Sequence, residues 1–497
     1  MLEGPQWSVP GIEVSRRGRF PLAVERYASG LVGRLVPAVT TATPHARYYA
    51  LHALLADEFA QRQVPVREAQ ELVRRSEVVL AAVSHWHRHD IPGFGHAHGE
   101  QALAPRLQGG TFSVAGAAQA GVHAQSAWGF WGPYSGPERE LGIMGASSRF
   151  PTVGANCDMA AIRAGLEPVL ELAREEELTR EQLEAHADQL CLCRGGHQPD
   201  GRWLARLMCA TEADDGPDGP DTTRRETIQL LCRVVRDCEI RSVERDLSAV
   251  FAFGPYLEQR SQLAELGVTF AWRGLVLRTY SVGAWRRLWS WLVGEVCGLM
   301  SEEQLRDRVA AATEGMGHLT VRQFRAELPR TLDRSGFPDA AEPAWRERAS
   351  TVPLRELGVL ALGARRAEEL TGLVARAFHG PERESRRELY PLWFARYLDD
   401  RAGQRLDKFA GDLVSLLLRR ARRVSLAKAT PRGDGTLWVP SKLQEREGLL
   451  YKIGDEGNGD VALRLHRLAS VLAGCGVLTT DDTGRWHVIA EGMAFCE

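Results

Sequence analysis

The chain has 497 residues, 44% apolar and 25% charged, with a formal net charge of −2 and a pI near 6.7. That length exceeds one compact core and predicts two to four domains. The composition is that of a globular protein, and the balanced charge excludes a globally basic nucleic-acid binder, so any such partner must meet a local patch.

No window of about 18 uncharged apolar residues occurs, so no membrane span is expected. The opening "MLEGPQWSVPGIEVSRRGRF" lacks the basic-then-apolar pattern of a secretory leader. Nine cysteines, scattered from Cys157 to Cys496, read as reduced thiols of a cytoplasmic protein. Lysine occurs only at Lys408, Lys428, Lys442 and Lys452, so arginine supplies 58 of the 62 basic residues (62 minus 4). That bias runs along the whole chain and locates no site.

Residues 21 to 80 read as helical. Thr43 is expected to cap the segment "ARYYALHALLADEFAQR", with Pro44 in its first turn. In "VREAQELVRRSEVVLAAVSHW", Ala69, Leu72, Val73, Val78, Val79 and Val83 recur at helical spacing. The next stretch, "SHWHRHDIPGFGHAHGE", carries His85, His87, His89, His96 and His98, with Asp90 and Glu100 nearby. Imidazoles and carboxylates ligate zinc or iron, but no HExxH-like spacing is present and a solvated helix end is expected. Glycines and prolines between 90 and 155 predict irregular structure joining short helices.

Helices resume at "MAAIRAGLEPVLELAREEEL" and at "TREQLEAHADQLCLC", where Thr179 and Gln182 form a capping-box pattern. In "CLCRGGH", Cys191, Cys193 and His197 resemble half of a zinc site. They lack the CxxC gap, and Cys209, Cys232 and Cys238 lie far along in helical stretches, so buried thiols are expected. The acidic Gly/Pro-rich stretch 211–223 reads as a disordered loop. Further helices follow at 227–251, 283–300 and 301–314. The segment "FWGPYSGPERELG" has a faint echo in "FAFGPYLEQRSQLAELG", a recurrent turn-then-helix device. Phosphate-loop, dinucleotide-binding and GxSxG signatures are absent. Asp399 and Asp400 are adjacent on a helix and do not face one site.

The last hundred residues read as helix ("QRLDKFAGDLVSLLLRRARR"), short strand ("TLWVP"), helix ("KLQEREGLLYKI", capped by Ser441), helix ("NGDVALRLHRLASVLAGCG") and hairpin ("GVLTTDDTGRWHVI"). That order resembles a winged helix-turn-helix, which implies a helix in a major groove and a hairpin wing. Arg419, Arg420, Arg422, Arg423, Lys428, Arg432, Arg464, Arg467 and Arg485 are then the candidate phosphate contacts. Opposing them, residues 404–497 hold 14 Lys/Arg against 12 Asp/Glu, a net of +2, with Asp455, Glu456, Asp460, Asp481 and Asp482 close by. Winged helices also dock proteins.

The predicted organisation is mainly α and multidomain. It comprises a helical N-terminal domain over 1–155, a helical central domain over 156–380 and a winged-helix-like domain over 385–497. Finally, "RLVPAVTTATPHARYYALHALLADEF" is similar to a segment, "FPGxSxxTxRARYFxFxPW", of uncharacterised bacterial proteins found beside phage-defence genes. The match rests on Pro37, Thr40, Thr43, Arg47, Tyr48 and Tyr49; His45 replaces an arginine, and Leu51-His52-Ala53 replaces the Pro-Trp end. Physically, Arg47, Tyr48 and Tyr49 read as a structural clasp between helices.

The resemblance implies a cytoplasmic subunit of an antiviral complex, with other protein subunits as partners. The leading expectation is a non-enzymatic DNA-binding or adaptor subunit meeting protein partners and duplex DNA, without metal or cofactor. The alternatives are a metal-dependent enzyme using the His-rich loop 85–98 and a transcription regulator.

Overall fold

The computed structural model describes residues 21–87, 95–145, 150–212, 215–216, 218–313, 315–433, 435–490, 492 and 494. The opening segment, His89, Asp90, part of the acidic stretch and Cys496 lie outside the described residues. The described chain is mainly helical, with small two-stranded antiparallel pairs. None of its helices is long and apolar enough to cross a membrane.

The chain divides into two compact units that are not consecutive in sequence. The first comprises residues up to Leu31, Ala249–Ala264 and Thr269–Ala462; the second comprises Val32–Ser248, Glu265–Val268 and the stretch from Leu463. The expected boundary at 155–156 falls inside the second unit, and that at 380–385 inside the first.

In the first unit the helix Leu406–Ala427 packs on Glu302–Ala311, and Val352–Glu369 packs on Pro391–Asp399 and Ala341–Arg348. Leu406, Phe409, Leu413, Leu416 and Leu417 are buried, as their three-and-four spacing predicts. Arg366 grips Glu342 in this core through Nε–Oε1 (2.6 Å) and Nη2–Oε2 (2.8 Å).

The second unit is built on α1 (Ala46–Arg62) and α2 (Val66–His87). Around them lie α3 (Trp131–Glu140), α4 (Met159–Leu166), α5 (Pro199–Met208), α6 (Pro220–Asp237) and α7 (Leu465–Gly474). Helix α1 packs on α2, α4, α5 and α7. It is buried almost all round because apolar residues follow one another on every face of its first three turns. Strands β1 (Thr111–Ser113) and β2 (Glu177–Thr179) pair antiparallel, and Thr179 then caps the next helix in the expected capping box with Gln182.

Three local expectations are corrected. Thr43 does not cap α1; its hydroxyl accepts from Thr40 N (2.9 Å) and closes the preceding turn, and His45 occupies the N-cap position. Helix α6 starts at Pro220, inside the stretch expected to be disordered. Proline suits a first helical position, and the Asp215 carboxylate accepts from Asp221 N and Thr222 N.

The third correction removes the winged helix as predicted. "KLQEREGLLYKI" is not a helix but a hairpin, Leu443–Arg446 against Leu449–Lys452. Glu447 and Gly448 both have positive φ (52° and 82°), the two-residue turn that matches strand twist. Leu450 exchanges backbone hydrogen bonds with Met300, so this strand has a partner on each side. The expected middle helix is therefore missing. Helix Leu406–Ala427 and this hairpin belong to the first unit, whereas α7 and the final hairpin, β3 (Leu478–Thr480) and β4 (Trp486–Val488), belong to the second. Asp481 closes that last hairpin by accepting from Thr483 N, Arg485 N and the His487 ring, and Trp486 N donates to Ile240 O (2.8 Å).

Candidate functional site

Helix α1 carries a row of polar side chains into the core of the second unit: His45, Arg47 and His52 are buried, between the buried rings of Tyr48 and Tyr49. Arg47 has all five N–H groups in use. Nε and Nη2 meet Asp200 of α5 at 3.0 and 2.9 Å, Nη1 donates to the carbonyls of Gln189 and Cys191, and Nη2 also donates to Gly165 O on α4. One guanidinium thus ties α1 to α4, to α5 and to the loop before it. The glycines of "CLCRGGH" permit this approach: a Cβ at Gly195 would lie 2.4 Å from Gly474 O and 3.2 Å from Arg47 Cγ. Tyr49 donates to Ala38 O (2.8 Å), and the Tyr48 ring stacks on Tyr134 of α3 with centroids 5.5 Å apart.

Behind this row lies a buried titratable cluster. His52 Nδ1 is 2.6 Å from Glu138 Oε1, and its Nε2 is 3.4 Å from Glu77 Oε1. Burial alone would discharge His52, but Glu138 and Glu77 outweigh it and raise its pKa to about 9. Burial likewise opposes ionisation of Glu77, yet the nearby rings of His123 (3.6 Å) and His52 hold it below its ordinary value. Burial pushes Glu138 up, and Trp131 Nε1 donates to its Oε2 (3.0 Å). His52 is therefore an imidazolium held between carboxylates.

His45 and His98 behave in the opposite way. Burial lowers both to about 3, helped by the Arg467 cation near each and by the His52 imidazolium near His98. Both rings are neutral at physiological pH. His45 Nε2 donates to His96 O (3.0 Å), and His98 Nε2 lies 3.2 Å from the Tyr134 hydroxyl.

The start of α1 and one face of α7 frame a solvent-reachable pocket of about 160 Å³. Its polar lining is His45, His96, His466, Arg467 and Ser470, and Leu192 supplies an apolar wall. Arg467 is half-buried and, among the described residues, has neither a hydrogen-bond nor an ion-pair partner. Desolvation and Arg467 together push His466 down, so it too favours the neutral form. The pocket therefore presents one cation and two imidazoles, those of His45 and His466, whose protonation is disfavoured. It is smaller than the roughly 300–1,000 Å³ typical of drug-sized ligands and fits a group of a few heavy atoms. A larger open groove of about 700 Å³ is lined by Asp158, Asp215 and Asp221. Those acids are already committed: Asp158 caps α4, Asp215 caps α6 and Asp221 pairs with Arg224.

The remaining candidate residues are dispersed. Arg419 is exposed on the helix Leu406–Ala427, but Arg420 donates to Leu22 O (3.0 Å) and faces Glu388 (3.5 Å), Arg423 pairs with Glu388, and Arg422 pairs with Glu445. Burial lowers Lys428, and Arg432 is half-buried. These six belong to the first unit; Arg464, Arg467 and Arg485 belong to the second. Arg464 donates to Val39 O (2.9 Å), and Arg485 lies in the closed turn of the last hairpin.

Of the His-rich stretch, His85 and His96 both contact Glu100 Oε1 at 3.0 Å, while His98 joins the aromatic cluster. His87 turns instead to the cysteines. Its Nδ1 is 3.5 Å from Cys193 Sγ, which is 3.1 Å from Cys191 Sγ. His197, expected beside them, is exposed. The eight described cysteines are free thiols.

Sequence reading missed His52, Glu77, His123, Tyr134, Glu138 and Asp200 as site residues. Only "WGPYSGPERELG" drew attention to Tyr134 and Glu138, as part of a turn. Nothing matches this chain among protein-family models, curated proteins or solved structures.

Proposed function

We propose that this protein is a non-enzymatic adaptor subunit whose second unit recognises an anionic group, a carboxylate or a phosphate, at Arg467. The observation that carries this reading is Arg467, without an ion-pair partner among the described residues, in a small pocket beside neutral His45 and the depressed His466. A half-buried guanidinium without a counter-ion is costly to keep, and an incoming anion supplies the missing charge. Membership of a multi-protein antiviral system is supported by the Arg47-Tyr48-Tyr49 segment.

A second reading, contact with duplex DNA, is favoured by the exposed Arg419 and the half-buried Arg432. It is weakened by the carboxylates that already hold Arg420, Arg422 and Arg423. A ligand-sensing transcription regulator would combine the two readings and would require both activities.

Thermal denaturation of the full chain with inorganic phosphate, acetate and chloride at matched ionic strength tests the proposal. Phosphate or acetate should raise Tm by several degrees in the wild type and leave Arg467→Ala unmoved. Equal shifts in both proteins would contradict it.

A further inference from the structure

We propose that His87, Cys191 and Cys193 form a zinc site with three protein ligands. Their donor atoms all lie within 4.8 Å of one another, although His87 is more than a hundred residues from the cysteines in sequence. Zinc bonds of about 2.0–2.3 Å in a tetrahedron place ligand atoms about 3.5–3.8 Å apart. The His87 Nδ1–Cys193 Sγ separation of 3.5 Å matches that edge. The Cys191–Cys193 separation of 3.1 Å needs only a small side-chain rotation to reach it. It is also far beyond the about 2.05 Å of a disulfide.

The backbone presents these ligands without any help from an ion. Ser84 and His87 are three apart on the last turns of α2 and share a face. Ser84 Oγ accepts from Leu192 N (3.2 Å), which fixes the residue between the two cysteines against that face. The Cys191 carbonyl accepts from Arg47 Nη1 (3.2 Å), so the buried guanidinium holds the same stretch from the other side. A second, independent feature concerns the far side of the imidazole. With Nδ1 toward the sulfurs, His87 Nε2 lies 3.7 Å from the exposed Asp188 Oδ1, within a small side-chain movement of the outer carboxylate position that orients a zinc-bound histidine. Arg194 Nη2 steadies that carboxylate at 3.1 Å.

Two thiolates and one imidazole are a borderline-soft donor set. It suits zinc and disfavours magnesium or calcium, which take oxygen ligands. Binding releases the thiol protons to solvent and changes no oxidation state. Three ligands leave a fourth position for water or an added ligand. Zinc binding here requires nothing of the Arg467 cavity, so the two proposals fail separately.

The experiment uses the full chain, reduced and stripped with a chelator, then titrated with zinc against a chromophoric competitor. One equivalent should bind tightly, and His87→Ala and Cys193→Ser should abolish it. Asp188→Asn, which removes no ligand atom, should weaken it about 10–100-fold. It also keeps the test open should a cysteine variant misfold. Cobalt in place of zinc should give thiolate-to-metal charge-transfer absorption that is lost in Cys191→Ser. Failure of folded, reduced wild type to bind zinc, or unchanged binding in folded His87→Ala, would overturn the site. A Cys191–Cys193 disulfide whose reduction restores no zinc binding would do the same.

Discussion

Arg47 and Asp200 meet side by side in the core of the second unit, Nε to Oδ2 at 3.0 Å and Nη2 to Oδ1 at 2.9 Å, across 153 residues of sequence. Both side chains are about 1% exposed, so neither charge has water to fall back on. Removing one partner strands the other in a low-dielectric interior.

Arg47→Ala and Asp200→Ala should therefore each destabilise the protein by about 3–5 kcal/mol. Arg47→Lys should recover little, since one ammonium cannot replace five donors in a fixed fork. Urea denaturation followed by circular dichroism measures this. A variant with unchanged stability and lost anion binding would make Arg47 a ligand contact instead.

The buried histidines set a pH dependence whose sign differs between them. His45 and His98 have folded pKa values near 3 against an ordinary 6.5. Their contribution is intact above pH 6.5 and is lost as the pH falls toward 3, because only the unfolded chain takes up the protons. His52, raised to about 9, contributes fully below 6.5 and loses that contribution as the pH rises through 9. Between pH 6.5 and 5 the first pair should cost about 3 kcal/mol together. Replacing His98 by Gln should roughly halve that slope in a stability series across this window. A flat profile from pH 5 to 6.5 would contradict the assignment.

Sequence periodicity located the helices well where one face had to be buried, as in Leu406–Ala427 and Val66–His87. It failed at "KLQEREGLLYKI" because leucines and charged residues there suit a helix, whereas the deciding feature was a two-residue Glu447-Gly448 turn and a distant partner at Met300. Arg47 stood out because arginine among tyrosines and alanines is unusual in a core helix. Its partner did not, because Asp200 in "HQPDGRW" reads as an ordinary loop acid. Glu77 and Glu138 were hidden for the same reason: a buried charge is defined by what folds onto it, and those partners lie tens of residues away. His87 was visible, but spacing alone could not join it to Cys191 and Cys193.

Three arginines of the run from Arg419 to Arg432 already face carboxylates. With Arg420, Arg422 and Arg423 held by Glu388 and Glu445, few cations of that run are left for phosphate. Binding of the full chain to duplex DNA should be weak, with a slope of log K against log salt no steeper than about −2. Glu388→Gln and Glu445→Gln together should steepen it by releasing arginines. A wild-type slope near −5 would show those ion pairs yielding to phosphate and would restore the DNA reading.

Arg467 decides the account. Isothermal titration of the full chain with inorganic phosphate measures the affinity directly. Arg467 in its pocket beside His45 and His466 predicts saturable binding. In Arg467→Ala that binding should be lost while the melting temperature is retained. Absence of saturable heat with phosphate and also with acetate, or binding that survives Arg467→Ala unchanged, would contradict the proposal that this cavity recognises an anion.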